Sequence, residues 1–174
     1  MQEEFEFTQD QLDVQQMTRD FIRKELPFEK IKECDEQNKV PMDVVKKAAE
    51  MGLTSITLPE SMGGGGMGQV ANSIVLEEIG YQDTGFATTI GACSLSYEPI
   101  SQFGTDEQKA LFGKFVIDGG LAAFALTEPD AGSDVANNRT TAVHEGHEWV
   151  INGTKCFITN APLASVFTVF AVTT

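Results

Sequence analysis

Apolar positions recur with two different periods along this chain, and the change falls near residue 120. Before that point they return every three or four residues, the mark of helices with one buried face. Val14, Met17, Phe21, Ile22 and Leu26 make the first stripe, and Pro27 stops it. Thr8-Gln9-Asp10-Gln11 stands before it with the form of a reciprocal helix cap. A second helical piece is expected through Ile31. Pro41 opens a third, with Val44, Val45, Ala48 and Ala49 on one face and Gly52 as a left-handed terminator. Gln69 to Gly80 is the most strongly helical segment, carrying Val70, Ile74, Val75 and Ile79 on one side. Phe86 to Ile100 is small and apolar, and is expected to be a buried helix interrupted before Pro99. Thr105-Asp106-Glu107-Gln108 caps a last helix bearing Leu111, Phe112, Phe115 and Val116, before Gly119-Gly120.

After Gly120 the pattern shortens. Leu121 to Thr127, Arg139 to Val143, Trp149 to Ile151 and Val166 to Val172 are compact and rich in strand formers. His144-Glu145-Gly146-His147 lies between two of them as a hairpin tip. Asn152-Gly153 predicts a second turn, with Cys156 to Thr159 as the returning strand. The expected class is therefore α+β: an all-helical domain over residues 1–120, then the first strands of a β domain over 121–174.

Composition narrows the function. At 41% hydrophobic residues, a packed globular chain is expected. The net charge is −14, from 26 acidic and 12 basic residues, which argues against nucleic acid as a partner. Residues 121–174 contribute only −3 of this, five acids less two bases. Cys34, Cys93 and Cys156 are scattered without metal-ligand spacing, and free thiols are expected. The acidic N-terminus has no apolar leader-like stretch, and no apolar run has the length to span a bilayer. The expected address is cytoplasmic. The run Gly63-Gly64-Gly65-Gly66 lacks the Gly-Lys-Ser/Thr of a phosphate loop, His144 and His147 lack a third ligand, and Glu77-Glu78 diverge by about 100° on a helix. None of the three is expected to carry chemistry, and no metal is expected.

Two strings remain. Phe124-Ala125-Leu126-Thr127-Glu128-Pro129-Asp130-Ala131-Gly132-Ser133-Asp134 is an apolar strand delivering a hydroxyl, followed by a turn of small residues. Such a turn exposes backbone N–H groups to an anion such as a phosphate. Trp149-Val150-Ile151-Asn152-Gly153-Thr154-Lys155-Cys156-Phe157-Ile158-Thr159-Asn160 brings a second hydroxyl and an aromatic ring. Thr127 and Thr159 on neighbouring segments, with Phe157 between, suit a flat polar heterocycle.

Together the two strings resemble the flavin-binding core of the acyl-CoA dehydrogenase family, and a weaker likeness runs along the whole chain. The resemblance implies FAD as cofactor and oxidation of an acyl-CoA thioester between its α and β carbons. A carboxylate takes the α proton, the β hydrogen leaves as hydride to flavin N5, and electrons pass to an electron-transferring flavoprotein. It implies that Phe124 contacts the cofactor, that Thr127 and the Leu126 backbone hydrogen-bond the flavin's pyrimidine edge, that Thr159 reaches N5, and that Phe157 and Ile158 shape the other face. It implies that Gly132 and Ser133 approach the pyrophosphate, with Ser133 and Leu95 also meeting substrate, and that Thr89 to Leu95 closes the far end of the acyl pocket. Family members are dimers or tetramers, here a homotetramer serving fatty acid metabolism. Their catalytic base belongs to a C-terminal helical bundle, so no catalytic residue is expected within residues 1–174. Two alternatives stand beside this: a non-catalytic flavin- or CoA-binding module or split-enzyme subunit, and an acyl-CoA oxidase that passes electrons to oxygen.

Overall fold

The computed structural model describes residues 6–173. Six helices come first: α1 (Gln9–Glu25), α2 (Phe28–Glu36), α3 (Met42–Glu50), α4 (Gln69–Gln82), α5 (Thr84–Phe103) and α6 (Asp106–Ile117). The helix starts follow from local chemistry. Thr8 and Gln11 form a reciprocal cap on α1, and Thr105 and Gln108 form one on α6, so two otherwise unpaired N–H groups are satisfied at each start. At the end of α3, Gly52 takes the left-handed conformation, φ +76°. Two expected ends fail. α4 continues past Gly80 to Gln82, where Asp83 stops it by capping α5 through the Phe86 N–H. α5 runs through Pro99 to Phe103, because packing on both sides outweighs the one missing backbone bond.

The interior is built from most of the predicted stripe positions, although Met17, Val70, Leu111 and Phe115 are exposed. Ile22 of α1, Leu26 at its C-terminal cap, Val44 and Val45 of α3, Ile79 of α4, Ile90 of α5 and Val116 of α6 are almost fully buried. Burial of each such side chain contributes about 1.5–3 kcal/mol. The link between α3 and α4 holds one turn of 3-10 helix, Glu60–Met62. Its glycines are there for packing: a Cβ on Gly64 would collide with the Leu58 carbonyl oxygen. Of the adjacent glutamates, Glu78 is held by Arg19 of α1 at 2.6 Å and Glu77 faces solvent.

Five strands follow: β1 (Leu121–Ala125), β2 (Thr141–Glu145), β3 (Glu148–Asn152), β4 (Ala164–Val169) and β5 (Val172–Thr173). β1 pairs in parallel with β4, and the order in the second sheet is β3-β2-β5. β2 and β3 form the antiparallel hairpin expected around Gly146, with His144 set edge-on against Trp149. The sheet of β1 and β4 lies against α5. One fastening is the Thr168 hydroxyl, which donates to the Ser96 carbonyl of α5 at 2.7 Å. Cys34, Cys93 and Cys156 are free thiols, and burial pushes Cys93 up to about 11. No helix among the described residues is long and apolar enough to cross a membrane.

Candidate functional site

β1 ends at Ala125, and the two following residues turn toward α5. There the chain meets the segment after β3, and the two define an open cleft of about 900 Å³. One wall is α4 and α5, from Gln69, Asn72 and Leu76 to Ala87, Gly91, Leu95 and Glu98. The other wall is Phe124, Thr127, Phe157 and Thr159. Both predicted hydroxyls and both aromatic rings therefore reach one space, and Leu95 faces them across it.

The element that holds Thr159 is not the expected one. Cys156 to Thr159 is an irregular loop rather than a returning strand. The single backbone bond from the Cys156 N–H to the Thr127 carbonyl (3.0 Å) pins it to the end of β1. Phe157 at φ +56° and Asn160 at φ +67° then break any ladder. Phe157, in this left-handed backbone, is 94% exposed and lines the cleft. A large aromatic ring held bare beside two hydroxyls is costly for the chain alone and useful for stacking on a flat ligand.

Two polar fastenings set this geometry. The Lys155 ammonium donates to the Leu126 carbonyl and to the Glu128 carboxylate, both at 2.8 Å, joining the two strings. Glu128 is buried and also accepts the backbone N–H groups of Arg139 (2.7 Å) and Thr140 (2.9 Å). Lys155 first, then the bonds at Thr140 and Arg139, hold its carboxyl down from the ordinary 4.5 to about 2. The second fastening is Asn160, whose buried amide donates to the carbonyls of Thr89 on α5 (2.9 Å) and Ala122 on β1 (3.1 Å). Sequence reasoning missed both as structural keys. The visible signal was an acid and a base fixed within the two strings.

Four of the predicted residues stand outside the cleft wall. The Leu126 carbonyl accepts from Lys155, and Ile158 is half-buried. Gly132 and Ser133 are exposed just after the turn that Glu128 and Ala131 close through paired backbone bonds. A Cβ on Gly132 would meet nothing within 4 Å, so the backbone there is open to an approaching group. Room for a flat ring, two hydroxyls, a bare aromatic face and an open glycine turn fit a flavin with a trailing phosphate.

Residues 8–120 match the family model described as acyl-CoA dehydrogenase, N-terminal domain, and residues 123–174 match acyl-CoA dehydrogenase, middle domain. The chain belongs to the acyl-CoA dehydrogenase family. It is 40% identical over 172 residues to a probable acyl-CoA dehydrogenase of Bacillus subtilis, YngJ, covering 97% of this chain and 45% of that protein. Among solved structures it is similar to a glutaryl-CoA dehydrogenase from Mycobacterium smegmatis in complex with FADH2, with TM-score 0.87, 32% identity, and 96% and 43% of the two chains covered. It is also similar to a chain in a structure of the electron transferring flavoprotein of Acidaminococcus fermentans, with TM-score 0.89, 35% identity, and 97% and 44% covered. The chain spans a little under half the length of these proteins.

Proposed function

We propose that this chain supplies the N-terminal and flavin-facing parts of an FAD-dependent acyl-CoA dehydrogenase, one that converts an acyl-CoA thioester to the trans-2-enoyl-CoA. The observation that carries the reading is the convergence of Thr127, Thr159, Phe124 and Phe157 on one cleft against α5. FAD, when bound, supplies the acceptor for the β hydride. Thr127 would hold a bound flavin through its hydroxyl, and a donor aimed at charge that develops on reduction would favour the reduced form. Thr159 offers a hydroxyl on the facing loop, and Phe157 would supply an aromatic face to a bound flavin. Gly132 and Ser133 present backbone and hydroxyl to the phosphates. The α-proton base is supplied from outside residues 1–174. An electron-transferring flavoprotein takes the electrons, and the likeness to a chain in a structure of such a flavoprotein supports that choice of acceptor.

The test uses protein isolated in native form from its source cells, so that whatever completes the site comes with it. A yellow protein is expected, with a flavin band that bleaches anaerobically on adding an acyl-CoA. Thr127→Val or Thr159→Val is expected to slow that bleaching by roughly tenfold to a thousandfold, the usual loss for a preorganised donor. A colourless protein, or a flavin that no acyl-CoA bleaches, overturns the proposal. Rapid reoxidation by air would move the acceptor to oxygen.

A further inference from the structure

Two basic side chains follow residue 120, and they are used differently. Arg139 is exposed beside Asp130, whereas the Lys155 side chain is 11% exposed and its partner Glu128 6%. A buried ion pair gains little stability over an apolar pair of the same size, because desolvation of both charges offsets their attraction. Its distinctive product is a fixed geometry, and here that geometry is centred on Thr127.

β1 ends at Ala125, so the β1–β4 ladder no longer fixes the backbone at Thr127. Two bonds from the second string take over. The Lys155 ammonium donates to the Leu126 carbonyl at 2.8 Å, and the Cys156 N–H donates to the Thr127 carbonyl at 3.0 Å. These carbonyls belong to the peptide planes on either side of Thr127. Each plane is rigid, with its N–H opposite its C=O, so fixing both oxygens leaves little freedom in the φ and ψ of Thr127. Those angles set the Cα–Cβ direction and the rotamers open to the hydroxyl. Glu128, itself held by the N–H groups of Arg139 and Thr140, keeps the ammonium in place at 2.8 Å. Asn160 separately fastens the far end of the loop to α5 and β1.

We infer that Lys155 is a positioning residue for hydride transfer: through the Leu126 carbonyl it sets the direction in which Thr127 presents its hydroxyl to the flavin. This rests on the acyl-CoA dehydrogenase reading above. Lys155 is not among the residues that line the cleft, so its effect on rate is carried by Thr127.

The experiment follows anaerobic bleaching of the flavin in protein isolated from its source cells. Butanoyl-, octanoyl- and hexadecanoyl-CoA are tried in turn, and the fastest is used throughout. Lys155→Met is made together with Glu128→Gln, so that no charge is left buried alone. This pair replacement is expected to lower the limiting rate by roughly tenfold, as a small misplacement of a catalytic group does, with the half-saturating ester concentration unchanged. In a Thr127→Val background the same replacement is expected to cost less than about twofold, because the group it would misplace is gone. A limiting rate equal to the parent's, or an equal loss in both backgrounds, overturns the inference and leaves the dehydrogenase reading standing. Should the pair replacement not fold, Lys155→Arg decides by the same cycle, since it keeps the ion pair but shifts the donor. Its expected loss is roughly threefold, again absent in the Thr127→Val background. A parent flavin that none of the three esters bleaches overturns the dehydrogenase reading itself.

Discussion

At the scale of single residues, the most consequential side chain is Glu128, which carries no proposed chemistry. It sits between Lys155 and the N–H groups of Arg139 and Thr140, and so fixes the strand end that presents Thr127. Its carboxyl is depressed from 4.5 to about 2, so the folded state favours its charged form. The stabilisation it contributes is complete above the ordinary glutamate value and is lost as pH falls through about 2. Glu128→Gln is therefore expected to lower stability at neutral pH, leaving the Lys155 ammonium without its counter-charge. The gap between parent and variant should close between pH 4.5 and about 2, as the parent's own carboxyl takes up its proton. Urea unfolding curves at neutral pH and at two acidic points measure this. A gap that stays constant across the window would detach Glu128 from acid stability.

At the scale of elements, α5 organises the site, because β1, β4 and the 153–163 loop all meet it. Thr168 ties β4 to it at Ser96, and Asn160 ties both the loop and β1 to it at Thr89 and Ala122. Asn160→Asp keeps the shape and tolerates the left-handed backbone, but removes the donor that serves both carbonyls. A loss of about 2 kcal/mol is expected from leaving buried acceptors unpaired, read from denaturant unfolding. Stability equal to the parent would show that other contacts place the loop. Much of this level was legible in the sequence. The caps at Thr8 and Thr105, the stripes of α1, α3 and α4, and the hairpin tip at Gly146 all depend on neighbours within a few positions. What escaped depends on distant partners. α5 survives Pro99 because it is packed on several sides, and Cys156 to Thr159 stays irregular because Lys155 and Asn160 are bound far along the chain. Thr127 and Thr159 nonetheless line one cleft, a juxtaposition that residue type and spacing in the two strings suggest without the strand assignment.

Across the whole molecule, charge is the dominant imbalance: 26 acidic against 12 basic residues, a net −14. Several visible pairings, such as Lys32 with Glu36 and Arg139 with Asp130, lie at the surface, where an ion pair contributes little. The pair of Lys155 and Glu128 is buried and therefore weakly screened by salt. Raising ionic strength should thus relieve repulsion among the excess carboxylates more than it weakens attraction. From about 0.01 M to about 0.15 M sodium chloride, the Debye length falls from about 30 Å to about 8 Å, short enough to uncouple opposite sides of the chain. Tm of the 174-residue chain is expected to rise with salt, by roughly 2–4 °C for each kcal/mol of repulsion relieved. A fall in Tm over that range would mean that the surface pairs outweigh the excess charge. The acidic surface would then be a set of specific attachments rather than a repulsive field.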